Sequence, residues 1–163
     1  QSAIGGEVEA ILVSVRGPAR RAATAWEKNE KLTDYKFYYP RSVFDGNTGR
    51  LGDIGDKKMV RDISYLHAIL EQAKDEGRRL EANASDQEGM LRYVHYLCSA
   101  FSLSIGLINR MTGELPRVVD SSDEVAMRFN VKALELDTEF LQDIMAKMKK
   151  AAFDPSYSPS TKK

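Results

Sequence analysis

Apolar residues near the start of the chain fall at Ile4, Val8, Ile11, Val15, Ala22 and Trp26, in steps of three, four or seven. That spacing marks one face of a helix. Gly17-Pro18 interrupts the run. Proline removes a backbone donor and collides with the carbonyl one turn back, so a kink or a break is expected there. Further on, Met59, Ile63, Leu66, Leu70, Ala73, Gly77 and Leu80 alternate steps of four and three. A repeat of this kind predicts knobs-into-holes contact with antiparallel neighbours. Ala73 and Gly77 on that stripe predict close approach of another helix or a thin place in the packing. A third long helix follows, with Leu91, Val94, Cys98, Phe101, Ile105 and Ile108 in register, ending near Asn109. The last helix opens at Ser122 amid Asp120, Asp123 and Glu124, where acidic side chains favour a helix start. It carries two stripes, one of Val125, Phe129, Ala133, Leu136, Phe140 and Ile144 and one of Val131, Leu134, Leu141, Met145 and Met148. So wide an apolar arc serves two neighbours, or leaves one stripe for a partner.

The connections fit this plan. In KLTDYKFYYP, Pro40 can occupy the first turn of a short helix over Ser42 to Thr48, with Val43, Phe44 and Asn47 on one face. That helix stops near Gly49, and Gly49 and Gly52 turn the chain beside Leu51 and Ile54 before Asp56 caps the next helix. Ala84-Ser85-Asp86 with Glu88 reads as a polar turn supplying the cap of the third long helix. The stretch NRMTGELPRVVDS is a long connection of the sort that often carries function. DPSYSPSTKK has the composition of a disordered end. The expected fold is an all-α antiparallel bundle of three to four long helices, with the short helix packed across one end. Residues 1–152 form a single domain and 153–163 the tail.

Polar residues opposite the long stripe, Lys57, Lys58, Arg61, Glu71, Lys74, Asp75, Arg78 and Arg79, are of mixed sign, with Asp75 and Arg79 at a helical spacing of four. They read as a solvated face, and so do Arg16, Arg20 and Arg21 around the proline. Twenty-four basic and twenty-four acidic residues cancel. No global field therefore attracts nucleic acid, and none is expected as a partner. The single cysteine, Cys98, excludes an intrachain disulfide, and its apolar setting places it in the core. No stretch reaches the roughly 20 uninterrupted apolar residues of a membrane span. The chain starts at Gln1 rather than methionine, so the expectation is that something upstream has been cut away, whether a signal peptide, an anchor or a stretch removed at an artificial boundary.

Chemistry is sparse. His67 has Glu71 one turn on, half of a two-helix metal site, but His95 has no carboxylate near it and neither Glu-x-x-His nor His-Glu-x-x-His occurs. No metal, cofactor or catalytic residue is expected. Tyr65, Tyr93 and Tyr96 flank the two histidines. If they gather between the second and third long helices, then Tyr65, His67, Tyr93, His95 and Tyr96 are the candidate ligand-binding residues. The glycines from Gly46 to Gly55 lack the lysine and hydroxyl of a phosphate loop. Among helical serines only Ser99 has a histidine one turn away, and nothing orients it.

The order Tyr39-Pro40, Val43-Phe44, Asn47, Leu51-Gly52, Ile54 and Ile63 to Leu66 resembles a pattern in small bacterial membrane-anchored proteins of uncharacterised function. Asp53 departs from the pattern, as does the long C-terminal portion. The resemblance implies a membrane helix just before Gln1 and an extramembrane domain after it, with no activity. The expected function is a non-enzymatic interaction or sensing domain, with a protein partner or a second copy on the last helix. The alternative is a small-molecule binder lined by the tyrosines and histidines named above.

Overall fold

The computed structural model describes residues 3–46, 56–112, 124–154 and 156–157. They form α1 (Ala3–Glu27), α2 (Ser42–Gly46), α3 (Lys57–Ala82), α4 (Gln87–Thr112) and α5 (Glu124–Phe153), with no strand among the described residues. The protein is an all-α bundle. Caps fix the helix ends. The Asp56 carboxylate accepts from the N–H groups of Lys58 and Met59, and Asp86 accepts from Gly89 at 3.0 Å. At the end of α1, Asn29 takes a left-handed φ of 55° while Glu30 N–H reaches the Ala25 carbonyl at 2.8 Å. This satisfies carbonyls that the helix leaves open. The expected turn around Asn47, Gly49, Leu51, Gly52 and Ile54 lies outside the described residues. So do most of the long connection, from Gly113, and the start at Ser122.

The core forms on α4, which packs against both α1 and α3. Tyr93, Val94, Leu97, Cys98, Phe101, Leu107 and Ile108 are buried on it. From α3 the stripe Ile63, Leu66, Leu70, Ala73, Gly77 and Leu80 is buried as its spacing predicts, and Met59 is half-buried. Central placement also explains a departure from expectation. The helix over Gln87–Met111 is long and apolar enough to cross a membrane by length and composition, its most apolar 18-residue window having mean hydropathy 1.2, although charge interrupts the stretch. Half of that window is buried inside the bundle, as befits a helix with neighbours on several sides.

Side-chain pairings give the helix directions. Arg110 meets Asp62 at 2.6 Å and Arg92 meets Glu76 at 2.9 Å, so α3 and α4 are antiparallel. Arg16 and Arg20 meet Asp137 while Glu27 meets Lys147 at 2.6 Å, so α1 and α5 run the same way. The segment between α1 and α2 travels back along α3. Its Tyr35 carbonyl lies against Gly77, its Tyr39 hydroxyl donates to Glu71, and Val43 and Phe44 arrive beside Glu7. Burial alternates along it, with Tyr35, Phe37 and Tyr39 in and Lys36 and Tyr38 out, the period of an extended chain. Gly77 therefore admits this extended segment as well as the Tyr93 ring of the neighbouring α4. A Cβ there would stand 2.8 Å from the Tyr35 carbonyl oxygen and 3.3 Å from the Tyr93 ring.

Three other expectations need correction. Of the kink or break expected at Pro18, the break does not occur, and α1 runs through it. Val15, Ala19 and Ala22 on either side of it are fully buried, so packing offsets the hydrogen bond that proline removes, a loss of about 3 kcal/mol. Arg20 and Arg21 are exposed as expected of a solvated face, but Arg16 and Arg20 also hold the buried Asp137 carboxylate. Asp75 pairs with Arg78 rather than Arg79, whose guanidinium goes to Glu76 at 2.8 Å.

Candidate functional site

The five candidate ligand residues do not converge. Tyr65 is 59% exposed on the outside of α3. Tyr93 is buried and donates to the Tyr35 carbonyl at 2.8 Å, and burial raises its phenol well above the usual range. It is a structural strut between α4 and the extended segment. His67, His95 and Tyr96 belong to two separate places.

His67 points away from α4 into a polar node between α1, α2 and α3. Glu7 of α1 is buried there, and its two carboxylate oxygens accept the N–H groups of Val43 and Phe44, each at 2.8 Å. A side chain from one helix thus caps another, satisfying two of the donors that every helix start leaves open. The His67 ring stacks on Phe44 at 3.9 Å between centroids, and its Nε2 lies 4.0 Å from Glu7 Oε2. Neither ring nitrogen has a hydrogen-bond partner among the described residues. Burial lowers the imidazole pKa, and the nearby Glu7 only partly opposes this. Outside it, Arg41 clasps Asp45 at 2.8 and 2.9 Å and reaches Glu71 at 2.5 Å, while Tyr39 donates to the same Glu71 oxygen. The hydrogen bond from Tyr39 is the main cause of a lowered Glu71 pKa. His67 and Glu71 are thus near neighbours, but Glu71 already serves Tyr39 and Arg41. Among the described residues no group of three or more histidine, cysteine or acidic side chains is placed to hold a metal ion.

His95 and Tyr96 face the other way, into a groove of about 570 Å³ between α4 and α5. Leu91 and Tyr96 from α4 and Met145 and Met148 from α5 make its apolar lining. Arg92, His95 and Lys149 supply the polar groups, and no acidic residue lines it among the described residues. The helix periods put these residues on one side. Leu91 and His95 are one turn apart on α4, as are Met145 and Lys149 on α5. Sequence reasoning named His95 and Tyr96 but missed their partners, because it assigned them to the α3 side of α4. Met145 and Met148, neighbours on the second stripe of α5, were the available signal.

A smaller hollow of about 220 Å³ lies beside the extended segment, where Lys36, Tyr38, Lys74 and Arg78 surround Gly77 with Glu81. Cys98 is buried and its thiol is pushed up to about 12 by burial, which keeps it in the unreactive form.

Comparisons with family models, with curated proteins and with solved structures give no match to this chain. The likeness of Tyr39 to Leu66 to bacterial membrane-anchored proteins therefore rests on those residues alone.

Proposed function

We propose that this chain is a non-enzymatic helical sensing domain that holds an apolar small molecule in the groove between α4 and α5. The observation that carries this is the groove itself, about 570 Å³ with an apolar lining and a few polar side chains at its margin. Ligand sites have this size and character and form readily between helices of a bundle. Met145 and Met148 suit the role, since an unbranched thioether side chain adapts to the shape beside it. The other reactive groups are committed elsewhere: Cys98 to the core, Glu7 to the start of α2, and Tyr93 to Tyr35. A membrane tether upstream of Gln1, implied by the resemblance, is compatible with such a domain.

The test is a melting screen against apolar metabolites, with Met148→Trp as the control that fills the groove. Ligand at 100 times its dissociation constant adds about 2.7 kcal/mol of stability, a shift readily seen. The expected result is a raised midpoint in the parent and none in a folded Met148→Trp. Equal shifts in both would place the ligand elsewhere and end this proposal.

Association through α5 is a second reading, favoured by Phe153, which is 82% exposed at the end of that helix. Sedimentation that shows a monomer at every concentration, with Phe153→Ser unchanged, would remove self-association.

A further inference from the structure

We infer that the occupant of the α4–α5 groove is a single-chain amphiphile with an anionic head, a fatty-acid carboxylate, whose chain lies on the methionines and whose head meets Lys149. This inference rests on the groove being a ligand site, and it adds the ligand's class. Three facts define that class. The first is that the lining offers an apolar body of ligand almost nothing polar to bond, since Leu91, Met145, Met148 and Ala152 provide only carbon and thioether contacts. A nucleotide, sugar or inorganic anion would leave its polar groups unpaired there, at a cost of roughly 1–3 kcal/mol each.

The second is the sign of the margin. Among the described residues Arg92, His95 and Lys149 line the groove without one acidic residue, although the whole chain carries equal numbers of acids and bases. Glu76, Asp86 and Glu88 offset Arg92, so charge complementarity toward a negative head comes from Lys149, with His95 on the facing helix.

The third is availability. Arg92 already serves Glu76 at 2.9 Å on the α3 side and lies within 4.0 Å of Asp86 and Glu88. Neighbouring Lys147 is occupied by Glu27 and Asp143. Lys149 makes no ion pair among the described residues and is exposed at the groove, one turn beyond Met145. It is the cation free to receive a carboxylate, with His95 on the facing helix as a second donor.

The experiment is calorimetry with laurate, 1-dodecanol and dodecyltrimethylammonium, each below its micellar concentration, on the full chain and on Lys149→Glu and Met148→Trp. The expected order is laurate first, then the alcohol, then the ammonium. Laurate should lose roughly fivefold in affinity in Lys149→Glu, the scale of one exposed ion pair. The alcohol should not change in that variant, and all three should fail in Met148→Trp. Added salt should weaken laurate and leave the alcohol alone. If the alcohol binds as tightly as laurate and Lys149→Glu alters neither, the anionic head is refuted and the groove remains a ligand site. If none of the three binds the parent, the amphiphile is refuted. A melting shift with some other apolar compound would then show that the groove reading outlives it.

Discussion

Two faces of α4 are built differently. Toward α3 it meets an unbroken stripe, buried from Ile63 to Leu80. Ion pairs close that interface near both ends, Asp62 with Arg110 and Glu76 with Arg92. Toward α5 the burial is partial: Leu141, Ile144 and Met148 go in, while Met145 and Lys149 border open space. Among the described residues α5 is also held on its other side, where Asp137 takes Arg16 and Arg20 of α1 and Lys147 takes Glu27. A helix anchored by charge along one edge does not have to fill the groove along the other. Stability and an open apolar surface can therefore coexist on one helix.

Breaking each face in turn should separate them. Phe101→Ala empties a fully buried position in the core around α4 and should cost about 3–5 kcal/mol. Urea unfolding followed by far-ultraviolet dichroism should show one cooperative transition at lower denaturant, because no helix of the core stands without α4. The double variant Arg16→Ala, Arg20→Ala leaves the Asp137 carboxylate, 1% exposed, without its counter-ions. Breaking a buried pair from one side costs about 3–5 kcal/mol. Here the loss should be local, with α5 amides exchanging hydrogen long before those of α3 and α4. Uniform loss of protection would mean that α5 is as integral as α3.

Two glycine substitutions sharpen the contrast at lower cost. Gly77→Ala drives a Cβ to 2.8 Å from the Tyr35 carbonyl oxygen, and backbone cannot swing aside as a side chain can. A loss of about 1–3 kcal/mol is expected, the usual scale of overpacking. Gly106 on α4 is exposed and a Cβ there meets nothing within 4 Å. Gly106→Ala should therefore stabilise by about 0.5–1 kcal/mol through helix propensity. Thermal melts of both variants decide the matter, and shifts of the same sign would contradict the difference in local space.

The regular part of this molecule was legible because its forces are periodic. The α3 stripe and the Asp56 and Asp86 caps follow from spacing and from the donors that helix starts leave open. Contacts made by polar groups across helices were not legible. Nothing local to Arg16 distinguishes a solvated arginine from one aimed at α5. Asp137 did leave a trace, since it sits in the gap between Leu134 and Leu141 on the second stripe, where an apolar residue would continue the pattern. Glu7 gives less warning still, because its partners are backbone groups 36 and 37 residues away. The groove followed only in part: His95 and Tyr96 were candidates, but which helix they faced depended on a topology in which the chain returns along α3 in extended form. Had the alternation in Tyr35, Phe37 and Tyr39 been read as a buried extended segment, the close approach at Gly77 would have had its partner.

The smallest effect concerns His67, a buried polar side chain of α3 on the side of α1 and α2. Both its nitrogens are unpartnered among the described residues, and burial holds its pKa below the ordinary value of 6.5. The sign follows from proton uptake. Above 6.5 the imidazole is neutral in both states and contributes no pH dependence. As pH falls through 6.5 the unfolded chain binds a proton that the folded chain does not, so stability drops until the lower folded pKa is reached. Charged groups around the ring pull both ways: Glu7, Asp45 and Glu71 favour the imidazolium and Arg41 opposes it. The carboxylates with lowered pKa values, Asp45 and Glu71, lose their stabilising contribution only in a more acidic window, from their ordinary values of 3.8 and 4.5 downward. The two windows are therefore separable. Melting between about pH 7 and pH 5 should show a declining midpoint in the parent. In His67→Phe, which keeps the ring on Phe44 and removes the titration, that decline should flatten while the acid loss below it persists. A midpoint that rises on acidification in the parent would mean instead that the protonated ring pairs with Glu7, and would reverse the balance between burial and charge at the start of α2.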